Sequence, residues 1–202
     1  TDATKNRPVE WQQSFLKARA ISREQRPDDL VGTALYLLSD LAGVRMVGLD
    51  GSTEAVALAE RAYGSHRTVF GHALFPFALN GPLFDFAVSF ESIEHVDDPE
   101  GLLQQMAQAT QGPFIVSVPN ETGLPFDRYG THFEHHVRHF TRDETVAMLA
   151  RAGRPVIAAE HGQQVYRIED GRMAGLLPES EMALRPFDQD CQFCILVAMP
   201  PR

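Results

Sequence analysis

Segments with apolar residues at helical spacing alternate along the chain with short apolar runs, and the two patterns predict its helices and strands. Apolar residues at helical spacing, with capping residues at the ends, predict helices over residues 8–22, 32–43, 52–64, 99–110 and 141–153. Short apolar runs predict strands over residues 44–50, 67–70, 84–90, 113–120, 154–161, 163–170 and 192–199. A polar, histidine-rich loop is expected over residues 119–140, before the last helix.

The alternation of strands and helices predicts the fold class. It is typical of an α/β domain with a Rossmann-like open, mostly parallel sheet and helices on both of its faces. The closing strands have no helix between them, which predicts an antiparallel edge strand. With 202 residues the chain is expected to form a single domain, residues 1–202, with a helical extension over residues 1–29.

Composition and charge narrow the function classes. The apolar fraction of 44% and the charged fraction of 22% are those of an ordinary globular protein. No apolar run is long enough to cross a bilayer and no secretory signal opens the chain. Two cysteines, Cys191 and Cys194, are too few for a disulfide scaffold, so we expect a reducing, cytoplasmic setting and interpret both as core residues. The net charge of −9 argues against a nucleic-acid partner.

Polar side chains follow three of the predicted strands. Asp50 ends the first strand, residues 91–95 (ESIEH) follow the strand over 84–90, and residues 119–123 (PNETG) follow the next one. Ligands of open α/β sheets bind beyond the carboxyl ends of the strands. Asp50 and these two segments are therefore the candidates for binding a ligand.

From about residue 32 to its end, the chain resembles the class I S-adenosylmethionine-dependent methyltransferases. Residues 44–64 are similar to the family's second strand and helix, and residues 84–106 to its fourth strand and following helix. The resemblance implies that Asp50 accepts hydrogen bonds from both ribose hydroxyls of the cofactor and that the loop at His72 lies beside the adenine. The implied cofactor-binding residues are Gly32, Asp50, Gly51, Ser52, His72, Ala73 and Phe90.

The glycine-rich loop of that family is missing. The family's first strand should end in an acidic residue and a loop whose backbone N–H groups face the methionine carboxylate. Here residues 26–38 (RPDDLVGTALYLL) offer only Leu30 and Val31 as a strand. One hypothesis is that residues between Val31 and Gly32 are left out of the sequence, and the other is a true deletion with a damaged cofactor site.

The segment ESIEH is a candidate metal site. Glu91, Glu94 and His95 are spaced i, i+3 and i+4, so one helical turn would bring them to one face. Carboxylate and imidazole ligands suit Mg²⁺ or Mn²⁺, and less selectively Zn²⁺. The same Glu-x-x-Glu-His motif is found in metal-dependent methyltransferases that act on small-RNA 3′ ends or on ubiquinone precursors. That resemblance implies a fourth ligand, His136, with His135 or His132 as alternatives.

Catalysis without a metal remains open for the same residues. His95 is a candidate general base acting alone, whereas in the metal-assisted reaction Glu94 or His132 would take the proton from the attacking hydroxyl. Alternatively, Glu91 contacts only the cofactor and Glu94 caps a helix. The loop over residues 120–140, which we call the late loop, is interpreted as an aromatic lid over the substrate, or as a loop folded on its own side chains.

The sequence therefore predicts an S-adenosylmethionine-dependent O-methyltransferase that acts on a hydroxyl of a small molecule or glycan. The late loop is most similar to that of methyltransferases in polysaccharide and natural-product pathways. A divalent metal such as Mg²⁺ or Mn²⁺ is an expected second cofactor, and a homodimer an expected assembly. The alternatives are a metal-dependent RNA 2′-O-methyltransferase and a non-catalytic methyltransferase-like scaffold.

Overall fold

The computed structural model describes residues 44–77 and 84–201. The helices predicted over residues 8–22 and 32–43, Gly32, and the junction between Val31 and Gly32 lie outside these ranges. The chain divides into two compact units, residues 1–77 and 78–202. The expectation of one domain over residues 1–202 stays a prediction.

The described part of the first unit is a strand–helix–strand motif. It consists of β1 (Met46–Asp50), α1 (Thr53–Tyr63) and β2 (Thr68–His72). The two strands pair in parallel. Ser52 is the N-cap of α1, since its hydroxyl accepts a hydrogen bond from the backbone N–H of Ala55 at 3.1 Å. These elements agree with those predicted over residues 44–70.

The second unit contains the larger sheet. Its strands are β3 (Ala87–Phe90), β4 (Phe114–Pro119), β5 (Val156–Gln163), β6 (Tyr166–Glu169), β7 (Arg172–Leu176), β8 (Arg185–Pro186) and β9 (Phe193–Met199). Its helices are α2 (Pro99–Gln108), α3 (Phe126–Tyr129) and α4 (Arg142–Arg151), and 3₁₀ turns occupy Ile93–His95, Gly130–His132 and Glu179–Glu181. Within the described residues, no helix has the length and apolarity needed to cross a membrane.

The strand order of the larger sheet is β3-β4-β9-β5-β8. Strands β3 and β4 are parallel, whereas β9 is antiparallel to both β4 and β5. The predicted α/β class is confirmed. The sheet has an antiparallel edge, since the short β8 pairs antiparallel with β5, and β9 is a further antiparallel strand inside the sheet. Strand β9 is buried along almost its whole length, and its unbroken apolar run suits a strand with neighbours on both sides.

A hairpin formed by β6 and β7 corrects the strand predicted over residues 163–170. Residues 163–165 are not part of β6, and β7 was not predicted. The turn contains Asp170 and Gly171, both with positive φ (49° and 71°). An Asp-Gly pair suits a two-residue hairpin turn because it tolerates this backbone conformation.

Two helices of the second unit pack together beside the sheet. In α4, Thr141 and Glu144 form a capping box, with each side chain bonded to the other residue's backbone N–H. An ion pair joins Arg151 at the end of α4 to Glu100 at the start of α2. Apolar side chains of the sheet and of these helices are fully buried. The fold thereby fixes the carboxyl ends of β3 and β4, where the second group of predicted functional residues lies.

Candidate active site

In the first unit, the predicted cofactor residues gather where β1 and β2 end. The Asp50 carboxylate accepts a hydrogen bond from the backbone N–H of Ser52 at 2.7 Å. The backbone carbonyl of Asp50 accepts one from Ala73 at 2.9 Å. His72 Nε2 donates to the carbonyl of Gly51 at 3.0 Å. A carboxylate has lone pairs for further donors, so Asp50 can still accept hydrogen bonds from a ligand.

Phe90, the remaining cofactor candidate among the described residues, lies in the second unit at the end of β3. Its side chain is 7% exposed and belongs to the core. Its carbonyl accepts a hydrogen bond from the Ser92 hydroxyl at 2.9 Å. The contact of Phe90 with a cofactor stays a prediction.

The chain turns sharply directly after β3. Glu91 has a positive φ of 48°, which is uncommon for a residue with a side chain. Its carboxylate accepts a hydrogen bond from the Ser117 hydroxyl at 2.6 Å, and its N–H donates to the Ser117 carbonyl at 3.2 Å. Glu91 therefore precedes the 3₁₀ turn Ile93–His95 and is held against β4.

Three of the four predicted metal ligands come together. Glu94, His95 and His136 each offer a ligand atom, and these atoms all lie within 4.8 Å of one another. We call these three residues the Glu-His-His cluster. His95 Nε2 lies 3.9 Å from Glu94 Oε1. Two ligands on one ion are separated by at most about 4.2 Å, so small side-chain movements would close the cluster around a cation.

Glu94 is the unusual member of the Glu-His-His cluster. Its side chain is fully buried, and neither carboxylate oxygen has a hydrogen-bond partner among the described residues. Burial, with a smaller effect from the neighbouring carboxylate of Glu91, raises the pKa of Glu94 well above its ordinary value. Buried polar groups are almost always hydrogen-bonded, so this carboxyl group fits a bound cation.

The two histidines of the cluster are each held through their Nδ1 atoms. His95 Nδ1 donates to the carbonyl of His135 at 3.0 Å. His136 Nδ1 lies 3.0 Å from His139 Nε2. In both rings Nε2 is the nitrogen left for a ligand. Burial, followed by the nearby histidines 95, 139 and 135, lowers the pKa of His136 to about 3, so its ring is neutral and suited to metal binding.

Backbone and ring contacts fasten the late loop to the turn after β3. The N–H of Val137 donates to the carbonyl of Glu94 at 2.7 Å. Phe133 stacks on His136 with ring centroids 4.7 Å apart and an interplanar angle of 22°. The loop therefore packs on its own side chains here, as one of the two sequence-based interpretations expected.

Other predicted residues lie outside the cluster. His132 ends the 3₁₀ turn Gly130–His132 and is exposed, so its role as proton acceptor stays a prediction. Arg128 donates to the carbonyl of Gly171 in the hairpin, and Arg138 pairs with Glu144. Cys191 and Cys194 are buried free thiols, as the sequence predicted.

Two residues that contact the predicted ligands were not predicted. Ser117 binds Glu91, and His139 binds His136. Ser117 lies in an apolar strand with no marked pattern, and only the strand pairing reveals its partner. The contact of His139 with His136 could have been suspected from the sequence, because His139 follows His136 by three residues and precedes the apolar Phe140, which is fully buried.

A family profile described as a methyltransferase domain matches residues 31–159, more than half of the chain. The chain belongs to this family. It is a class I S-adenosylmethionine-dependent methyltransferase, as its resemblance implied. No curated protein sequence matches the chain significantly.

Solved methyltransferase structures share the fold at low identity. A chain from the complex between the Haloferax volcanii Trm112 methyltransferase activator and a methyltransferase has a TM-score of 0.65 and 17% identity, covering 96% of this chain and 98% of its own length. Magnesium protoporphyrin IX methyltransferase of Synechocystis PCC 6803, with bound S-adenosylhomocysteine, has a TM-score of 0.59 and 16% identity, covering 100% and 90%. A Thermotoga maritima S-adenosylmethionine-dependent methyltransferase has a TM-score of 0.58 and 15% identity, and the match covers 95% of this chain and 89% of that protein's chain. These similarities establish the fold of the methyltransferase.

Proposed function

We propose that this methyltransferase transfers a methyl group to a hydroxyl of a small molecule or glycan, assisted by a divalent metal at the Glu-His-His cluster. The observation that carries the proposal is the Glu94 carboxyl group, which is fully buried without a hydrogen-bond partner among the described residues. It lies beside two imidazoles whose Nε2 atoms are available. A bound cation accounts for all three side chains together.

The ligand set favours particular metals. With Glu91 hydrogen-bonded to Ser117, one carboxylate and two imidazoles remain in the cluster. Imidazole nitrogen suits Mn²⁺, Fe²⁺ or Zn²⁺ better than Mg²⁺, which prefers oxygen ligands. Among the two metals that the sequence suggested first, Mn²⁺ is therefore the better fit.

Methyl transfer to a hydroxyl sets clear chemical requirements. S-adenosylmethionine supplies the methyl group; the carbon–sulfur bond breaks as the carbon–oxygen bond forms, and the hydroxyl proton passes to a base. A divalent cation beside the hydroxyl would lower its pKa and fix its orientation.

The side chains of this chain would divide these tasks. In the first unit, Asp50 would accept the ribose hydroxyls of S-adenosylmethionine, since its carboxylate keeps lone pairs beyond its bond to Ser52. Glu94, His95 and His136 would hold the cation. Their Nε2 and carboxylate atoms are then occupied, which leaves the exposed His132 as the better candidate for proton acceptor.

The charge of the chain supports a small molecule or glycan over RNA. The net charge is −9, whereas RNA affinity depends on clustered Lys and Arg side chains. Two arginines of the late loop, Arg128 and Arg138, are bonded to a carbonyl and to a carboxylate. They are therefore less available for phosphate groups.

Metal binding tests the proposal directly. We expect chelator-treated protein to bind one equivalent of Mn²⁺ in a calorimetric titration, and Glu94→Gln to weaken the affinity at least tenfold because the buried carboxylate is lost. Glu134→Gln is the matched control, since Glu134 is an exposed acid of the late loop outside the cluster. Its affinity should equal that of the wild type.

Activity with model acceptors completes the test. Methyl transfer from labelled S-adenosylmethionine to a panel of vicinal diols and catechols should fall on chelation and return with Mn²⁺. Turnover that is unchanged after chelation would reject metal assistance and favour His95 acting alone as the base.

A further inference from the structure

A chain of hydrogen bonds runs from the late loop to the Glu-His-His cluster. His139 is 4% exposed, and its Nδ1 lies 2.7 Å from the backbone carbonyl of Leu124. A carbonyl oxygen can only accept a hydrogen bond. The proton of His139 must therefore be on Nδ1.

The position of that proton determines the state of the next ring. Burial favours the neutral form of an imidazole, and in a neutral His139 ring with its proton on Nδ1 the Nε2 atom can only accept. His136 Nδ1, 3.0 Å away, must then be the donor. This leaves His136 with a proton on Nδ1 and a lone pair on Nε2. A neutral imidazole without such a partner prefers the opposite tautomer, with the proton on Nε2.

Aromatic contacts hold both rings in this arrangement. Phe133 stacks on His136 at 4.7 Å and meets His139 edge-on at 5.1 Å. Phe126 also contacts His139 edge-on, with ring centroids 5.1 Å apart. The hydrogen bonds thus act on rings whose orientation is already restricted by packing.

We propose that His139 is a positioning residue that fixes the tautomer and direction of His136, so that His136 Nε2 can bind a metal ion. The metal-binding part of this inference rests on the proposed function, whereas the tautomer does not. Residues that accept the second N–H of a metal-bound histidine commonly contribute 10- to 100-fold to metal affinity.

Two substitutions of His139 separate its two hydrogen bonds. In His139→Asn the side-chain amide occupies the place of Nδ1 and can still donate to Leu124, but it does not reach His136. In His139→Gln the longer amide places its oxygen near the position of Nε2 and can accept from His136. We expect His139→Asn to weaken Mn²⁺ binding about 10- to 100-fold and His139→Gln to weaken it about threefold or less.

The tautomer is measured on the metal-free protein. Long-range ¹⁵N–¹H spectra at pH 7.5, with the His136 signals assigned through His136→Gln, should show the proton on Nδ1 in the wild type and in His139→Gln. In His139→Asn the pattern should shift toward Nε2 protonation. This readout needs no metal.

The outcomes are distinguishable. An Nε2-protonated His136 in the wild type, or an Nδ1-protonated one that persists in His139→Asn, would overturn the inference. If the wild type binds Mn²⁺, equal Mn²⁺ affinities of the two variants would overturn it too. Wild-type protein that binds no Mn²⁺ but shows the expected spectrum would reject the proposed function and leave the tautomer assignment intact.

Discussion

The carboxyl group of Glu94 is placed to bind a cation, but without a cation it destabilises the folded chain. It is fully buried, has no hydrogen-bond partner among the described residues and has a raised pKa. A buried unsatisfied polar group costs about 1–3 kcal/mol. Residues kept at such a cost are typical of functional sites, where stability and activity are in conflict.

Replacement of Glu94 by Met should therefore stabilise the metal-free protein. The unfolded-state carboxyl ionises near pH 4.3, whereas the folded-state pKa is higher. Wild-type stability then falls as the pH rises from the unfolded-state pKa through the folded-state pKa. We expect Glu94→Met to raise the free energy of unfolding by about 1–3 kcal/mol at pH 8, and by less at pH 4.5.

Urea unfolding with a chelator present, at both pH values, checks this prediction. Glu134→Met is the control because Glu134 is an exposed acid of the late loop, and it should change the stability little at either pH. Equal stabilities of Glu94→Met and wild type at pH 8 would show that burial of this carboxyl group carries no cost.

Three of the four residues that the sequence predicted as metal ligands lie in the cluster, and the fourth, Glu91, does not. Helical spacing placed Glu91, Glu94 and His95 on one face. The structure instead has a left-handed residue at Glu91 and a shorter 3₁₀ turn after it. Two hydrogen bonds with Ser117 on the neighbouring strand, one donated by each residue, hold Glu91 in that conformation. Such a contact depends on strand pairing and has no local sequence signal.

At the scale of secondary structure, one side chain joins the β6–β7 hairpin to the main sheet. The side-chain amide oxygen of Gln192 accepts hydrogen bonds from the backbone N–H groups of Val165 and Tyr166, at 2.8 and 2.7 Å. Its amide N–H donates to the Tyr166 carbonyl at 2.8 Å. Gln192 is 4% exposed and thus satisfies backbone groups that water cannot easily reach.

Replacement of Gln192 by Leu should loosen this hairpin. Two backbone N–H groups and one carbonyl would lose their partner, and we expect a loss of about 2–4 kcal/mol in the free energy of unfolding. Gln192→Glu keeps both acceptor contacts but removes the donor, so its loss should be smaller. Urea unfolding and limited proteolysis at the hairpin turn measure the two effects. A Leu variant as stable as the Glu variant would contradict the role of the acceptor bonds.

The elements were easier to predict than their arrangement. Periodicity and capping residues located the strands β1 to β4 and the helices α1, α2 and α4 to within a few residues, because these signals are local. Strand β7 was missed although Asp170-Gly171 is a hairpin signal. The place of β9 inside the sheet could not follow from its sequence, since an apolar run indicates burial and not which strands are its neighbours.

At the scale of the whole molecule, membership of the methyltransferase family rests on residues 31–159, and S-adenosylmethionine is its cofactor. The family's glycine-rich loop would fall at residues 30–32, which lie outside the described ranges. Four segments that resemble the family's motifs, in the family's order, were enough to predict the family. The substrate was not, because loop shape and not motif order determines it.

Ligand-induced stabilisation of the intact chain can separate the two predicted sites. A ligand at 100 times its dissociation constant stabilises the folded state by about 2.7 kcal/mol, which is about 5–10 °C in Tm for a chain of this size. We expect S-adenosylhomocysteine to produce such a shift. Asp50→Ala should weaken its affinity about 10- to 100-fold, because hydrogen bonds to a charged group contribute about 1.5–3 kcal/mol.

The same thermal measurements with Mn²⁺ should depend on the cluster residue Glu94 and not on Asp50. Glu94→Gln should lose stabilisation by Mn²⁺ and keep that by S-adenosylhomocysteine, whereas Asp50→Ala should keep stabilisation by Mn²⁺. Asp127→Ala, which removes an exposed acid of α3, should respond as the wild type does to both ligands. An intact chain that S-adenosylhomocysteine does not stabilise would instead favour a methyltransferase-like scaffold, because a chain that has lost the glycine-rich loop lacks the N–H groups that hold the methionine carboxylate.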